Sequence, residues 1–136
     1  MSEPKFITRT NSWKFRTISH PKFTKWYNTF YKDRRKILPK NIDKLLIHSL
    51  TLAVWFMDDG TRMRNDAYTL NTQNFSTEEN MRLQECLYQN FGINTSLHKD
   101  KCNHRIYIPE NSAGGFTKLI DGFTLPSMKY KLLLTP

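Results

Sequence analysis

Between Leu50 and Met57 the chain offers one polar residue, Thr51, and it then closes on two carboxylates and a glycine, Asp58-Asp59-Gly60. An apolar run without a water-facing stripe predicts a helix buried on nearly all sides. Pro39 and Asn41 stand ahead of it as start signals, since an Asn side chain accepts from the free amides of a first turn; the helix is expected across Asn41 to Gly60. Ser49 and Ala53, four apart, share a face where small side chains let another backbone approach. Two acids at the C-terminal end oppose the helix dipole, and apolar surroundings raise the cost of leaving them unpaired. A cation at that end is the expected remedy.

Thr61-Arg62-Met63-Arg64 predicts a strand with both arginines on one face, and Asn65-Asp66 predicts a turn. Ala67 to Gln73 returns with Tyr68, Leu70 and Thr72 on one side and Thr69, Asn71 and Gln73 on the other. Ser76-Thr77-Glu78-Glu79 spells a capping box, and the helix it opens carries Leu83, Leu87 and Phe91 before ending at Gly92. A second hairpin is expected from Thr95 to Lys99 and His104 to Pro109. In it Ile106 and Ile108 face the core, and Arg105 and Tyr107 face out beside Ser96 and His98. Gly114-Gly115 is expected to turn the chain before a last helix, Phe116 to Phe123. The class is α+β: αββαββα from Asn41, with a four-stranded antiparallel sheet whose outer face is polar and basic. Upstream, Trp13 to Ile18 reads as a strand bearing Lys14 and Arg16. Phe23, Trp26, Tyr27 and Phe30 fall at helical spacing and are expected to pack in a core.

A chain of 136 residues is long enough for one domain with its own core. Its net charge of +9, interleaved with aromatics instead of gathered in a tail, suits a folded surface for an anionic polymer. The run Lys32 to Lys36 is expected to meet phosphate. On the sheet, Asn side chains pair with adenine and Arg with guanine in the major groove, although plain surface polarity produces the same alternation. Cys86, Cys102 and the four histidines fall in no zinc-ligand spacing, so structural zinc is not expected and both thiols are read as free. Neither a secretion signal nor an apolar run of membrane length is present in this sequence.

Leu52-Ala53-Val54-Trp55-Phe56-Met57-Asp58-Asp59-Gly60 resembles the signature helix of the LAGLIDADG homing endonucleases, in the group where the motif reads WFMDDG. Leu70 to Ser76 is similar to that group's strand-to-helix passage, and Leu125 to Leu132 to its ending. Val54 stands where the family name has its Gly, and Met57 where it has its first Asp. The resemblance implies a half-saddle whose sheet lies along the DNA major groove and whose signature helix meets that of a second half. Ser49, Leu52, Ala53 and Phe56 are the expected contacts with that partner helix.

By the same resemblance Asp59 is the ligand of Mg²⁺ (or Mn²⁺), with Asp58 the weaker candidate, because helix neighbours point about 100° apart. Lys131, with Lys129 as understudy, takes the place of the lysine near the scissile phosphate, and Gln73 that of a residue ordering water. Lys14, Arg16, Arg62, Arg64, Thr69, Asn71, Ser96, His98, Arg105 and Tyr107 are the expected nucleic-acid contacts. Residues 1–40 resemble the tail of a first half, with Phe23 to Lys36 faintly echoing Phe116 to Lys129, and residues 41–136 form the LAGLIDADG domain. The expected activity is metal-dependent cleavage of both DNA strands with a second half or a second copy. The alternative is an RNA-binding maturase or ribonucleoprotein component. Richness in Asn, Lys, Tyr and Ile hints at an AT-rich genome, in a mitochondrion or chloroplast.

Overall fold

The computed structural model describes residues 3–100 and 103–133. The chain divides into two compact units, Met1–Arg35 and Lys36–Pro136.

In the first unit, β1 (Lys5–Ile7) and β2 (Ser12–Lys14) pair antiparallel, with Phe6 opposite Trp13 and their rings 5.4 Å apart. The strand expected to reach Ile18 stops at Lys14, because its partner is three residues long and offers no further pairing groups. Helix α1 (Pro21–Phe30) starts where Pro pre-sets the backbone and the His20 ring accepts from the Lys22 amide at 3.2 Å. Its aromatics do not form the core expected of them: Trp26 is 52% exposed, and Phe23 and Tyr27 are similarly open. A short ribbon and one helix have too little surface to enclose side chains of that size. The basic run from Lys32 folds as a ribbon, β3 (Tyr31–Lys32) and β4 (Arg35–Lys36). Asp33 and Arg34 between them both take left-handed conformations, as a two-residue hairpin turn of this kind requires.

The second unit opens with two helices where the apolar pattern predicts one. Helix α2 (Ile42–Leu45) is separated from α3 (Ser49–Asp59), and the Asn41 side chain makes no cap bond. The reason is tertiary. Asn90, on α4 (Thr77–Phe91), donates to the carbonyls of Asp43 and Leu46, both at 2.8 Å, and satisfies groups a continuous helix would have paired internally. Ile42 and Leu46 are thereby held in the core with Leu38.

Strands β5 (Gly60–Arg62), β6 (Tyr68–Leu70), β7 (Ser96–Asp100) and β8 (Asn103–Ile108) form one antiparallel sheet in the order β5-β6-β8-β7. Helix α5 (Glu110–Ile120) follows, then 3-10 turns at Asp121–Phe123 and Pro126–Lys131. Gly114 and Gly115 lie inside α5 instead of preceding it. Burial of Ala113, Phe116 and Ile120 holds the helix together through its weakest residues. The capping box forms: Ser76 Oγ accepts from the Glu79 amide, and Glu79 returns one carboxylate oxygen to the Ser76 amide at 2.8 Å. Its other oxygen accepts from the Leu38 amide at 2.7 Å, so the cap also anchors the segment before α2.

At the centre, Phe56 meets Tyr68 and Phe116 edge-on at 5.1 and 5.3 Å, and Tyr68 lies 5.2 Å from Phe116. These rings tie α3, β6 and α5 together and fix the end of α3 above one edge of the sheet. Truncating one such ring to alanine costs about 3–5 kcal/mol.

Candidate nucleic-acid interface and helix end

Helix α3 delivers Asp58 exposed and Asp59 partly exposed, and the chain turns directly into β5 at Gly60. A Cβ at Gly60 would overlap the ring and carbonyl of Phe56, so this sharp exit excludes any side chain. The Asp59 carbonyl accepts from the Asn71 amide at 3.0 Å, which locks the helix end to the strand beside it. The helix end does receive a cation, Lys131, although at its carbonyls and not at its carboxylates. Its ammonium donates to the Met57 carbonyl at 2.7 Å and the Gly60 carbonyl at 3.1 Å. Lys129 is directed elsewhere, pairing with Asp121 at 3.0 Å. Among the described residues no side chain bonds to the carboxylate of Asp58 or Asp59, and no three His, Cys, Asp or Glu converge as a metal site. The helix end thus presents carboxylate oxygens of the kind hard divalent cations accept, fewer than would enclose an ion.

Strand register sorts the expected contacts by face. Thr61, Thr69, Tyr107 and Ser96 lie in one row across the sheet, and Arg105 pairs with His98 in the next. Ser96, His98 and Asn71 are exposed on this open face, with Arg105 and Tyr107 half-buried. Thr69 belongs to the face but is only 1% exposed, with its hydroxyl against Met63 Sδ, so it is no surface for a base. Arg62 lies on the other side. Its row mate Tyr68 is in the core, and its guanidinium reaches the Leu132 carbonyl at 3.2 Å and Asp66 at 2.9 Å. Because Gly60 begins the strand, Thr61 takes the open face and Arg62 the helix face, an assignment the alternation alone left free. Arg64 is exposed in the turn after β5. Gln73 spends its amide on Asp100 at 2.7 Å and, more weakly, on Asn71 at 3.4 Å. Lys14 and Arg16 are exposed in the first unit.

Two participants were not singled out in the sequence. Asn65 donates to the Tyr107 hydroxyl at 2.7 Å, and Asp100 holds Gln73. Only the register brings either pair together, since 42 and 27 residues separate the partners. The partner-helix residues also need correction. Leu52, Ala53 and Phe56 have no exposed surface and serve the chain's own core, with Ser49 partly open. The free apolar face of α3 carries Leu50 at 52% and Val54 at 54% exposure, continued by Ile47 before the helix.

A four-stranded antiparallel sheet backed by helices, with a polar, partly basic open face and a helix ending in two free carboxylates at its edge, defines a LAGLIDADG half-saddle. The LAGLIDADG DNA endonuclease family model matches residues 1–116, and the chain belongs to that family. It is 34% identical over 128 residues to probable intron-encoded endonuclease 1 of Wickerhamomyces canadensis, covering 90% of this chain and 55% of that protein. It is 34% identical over 121 residues to cytochrome b mRNA maturase bI2 of Debaryomyces hansenii, covering 88% of this chain and 45% of that protein. The chain spans about half the length of these two relatives. Among solved structures it is similar to the homing endonuclease I-WcaI bound to its DNA recognition sequence. That match has a TM-score of 0.87 at 30% identity and covers 99% of this chain and 66% of that one. Among the described residues no helix is long and apolar enough to cross a membrane.

Proposed function

We propose that this chain supplies one half of a homing endonuclease, gripping duplex DNA with the open sheet face while α3 packs against the signature helix of a second LAGLIDADG half. The observation that carries this reading is the end of α3, where two unpaired carboxylates project beside a lysine-capped terminus and an uncovered apolar flank. Asp59 would hold Mg²⁺ or Mn²⁺, with Asp58 as the weaker donor, and matching donors would come from the other half. Such an ion supplies activation of water and charge neutralisation at the leaving oxygen of a phosphodiester. Lys131 commits two of its three ammonium protons to carbonyls, which leaves one for a phosphate oxygen. Gln73 retains its carbonyl oxygen as an acceptor for water.

Residues 1–40, with their exposed aromatics, act as the tail of a first half, and residues 41–136 as the second LAGLIDADG domain. The intron-encoded relatives support an organellar origin.

The test is cleavage of a randomised plasmid library by the natively purified chain, with its co-purifying partner if one is present, in Mg²⁺ and in EDTA. Metal-dependent cuts that vanish in Asp59→Asn support the reading; cleavage unchanged in that variant overturns it. The maturase among the relatives favours a second reading, in which the same face binds RNA without cutting DNA. Recovery of the native chain in an RNA-containing particle, with no nuclease activity, selects that one.

A further inference from the structure

The β5–β6 turn reaches across the sheet to β8. Asn65 Nδ2 donates to the Tyr107 phenol oxygen at 2.7 Å, and the Tyr107 ring stacks on His98 of β7, centroids 3.9 Å apart and 12° from parallel. The turn itself is braced. Met63 N–H donates to the Ala67 carbonyl at 2.8 Å, Asp66 takes a left-handed conformation, and Arg62 grips the Asp66 carboxylate at 2.9 Å. Asn65 is therefore presented from a fixed loop, and the Tyr107 ring has little freedom between its stacking partner and its hydrogen bond.

This arrangement has a polarity. A phenol carries one proton and accepts at its oxygen. With Asn65 donating to the phenol oxygen, the Tyr107 proton is left to point away from Asn65, and Tyr107 belongs to the open-face row with Ser96. We infer that Asn65 is a positioning residue that commits Tyr107 to act as a hydrogen-bond donor, so that this point of the sheet selects base edges presenting an acceptor. In the major groove these are purine N7, guanine O6 and thymine O4, as opposed to the amino groups of cytosine and adenine. Arg62 then serves specificity indirectly, by bracing the turn that carries Asn65, although its own side chain faces away from the groove.

The inference rests on the nucleic-acid reading above and is tested separately from cleavage. The native chain is incubated with a randomised double-stranded DNA pool, and bound sequences are compared for wild type, Asn65→Asp, Asn65→Ala and Tyr107→Phe. An aspartate accepts from the phenol and reverses the bond. Asn65→Asp is therefore expected to shift preference by about fivefold toward cytosine or adenine amino groups at the positions Tyr107 reads, the scale of one hydrogen bond. Tyr107→Phe and Asn65→Ala are expected to flatten preference at those same positions. Where both purines are preferred, the pattern N7 gives, 7-deaza analogues should weaken wild type and leave Tyr107→Phe unmoved. Variants that keep the wild-type base preference, or lose affinity equally at every position as a phosphate contact would, overturn the inference. A wild-type chain that retains no DNA overturns the nucleic-acid reading and this inference with it.

Discussion

Lys131 sets its ammonium 2.7 Å from the Met57 carbonyl oxygen, 74 residues away in the chain, and the same nitrogen reaches the Gly60 carbonyl at 3.1 Å. The last carbonyls of a helix lack intrahelical partners and carry the negative end of its dipole, which Asp58 and Asp59 make worse. A single cation from the 3-10 turn at Pro126–Lys131 caps these carbonyls and offsets the dipole, while among the described residues the two carboxylates stay unpaired.

Replacing Lys131 with methionine keeps most of the stem and removes the charge. The expected loss is about 1.5–3 kcal/mol, the range for hydrogen bonds to a charged group, read as a lower urea midpoint at unchanged slope. Lys131→Arg should recover part of it. An unchanged midpoint for Lys131→Met would show that the cap contributes nothing.

Gly60→Ala is expected to destabilise more than an ordinary strand substitution. The added methyl would overlap both the Phe56 ring and the Phe56 carbonyl, and the ring is held by Tyr68 and Phe116. Overpacking of this kind costs about 1–3 kcal/mol. Thermal unfolding of the variant beside Gly114→Ala, where a methyl meets open space, checks the assignment.

Leu50→Asp and Val54→Asp place charge on the open flank of α3. Both are expected to leave the stability of the isolated chain within about 0.5 kcal/mol, as for surface changes, while abolishing assembly with a second half. Analytical ultracentrifugation reads the second effect and urea denaturation the first. Ala53→Asp, placed in the core, should instead prevent folding.

Glu79 serves two segments at once, so Glu79→Ala should cost more than an isolated cap. Loss of the Ser76 and Leu38 bonds predicts about 1–3 kcal/mol, with hydrogen exchange quickened at the Leu38 amide as well as at the start of α4. Protection retained at Leu38 would refute the double role.

Burial pushes the Cys86 thiol above its ordinary value of 9.0; the Asp43 charge adds to this, and a bond from Asn90 opposes it. The folded chain therefore holds this proton more tightly than the unfolded chain does. The stabilisation is complete below pH 9 and is lost as pH rises from there toward the folded value. Stability measured from pH 8 to 10 should fall more steeply in wild type than in Cys86→Ala, and alkylation at pH 8 should spare Cys86 until the chain is unfolded.

The sequence by itself determined the features whose cause is local. The capping box at Ser76, the left-handed end at Gly92 and the alternation of Ile106 and Ile108 against Arg105 and Tyr107 all follow from residues a few positions apart. The acids at the end of α3, set against its dipole, were also legible, because helix polarity depends on nothing distant. Tertiary structure decided that Lys131 caps the helix carbonyls, and it divided the stretch from Asn41 to Gly60 into α2 and α3 by giving the carbonyls of Asp43 and Leu46 a partner on α4. It also decided depth. Periodicity placed Thr69 on the outer face, yet its neighbours close over it, and Leu52, Ala53 and Phe56 turned to the chain's own core, leaving Leu50 and Val54 exposed. Local pattern specifies a direction along the backbone, whereas burial and hydrogen-bond partners depend on what the rest of the chain brings to that direction.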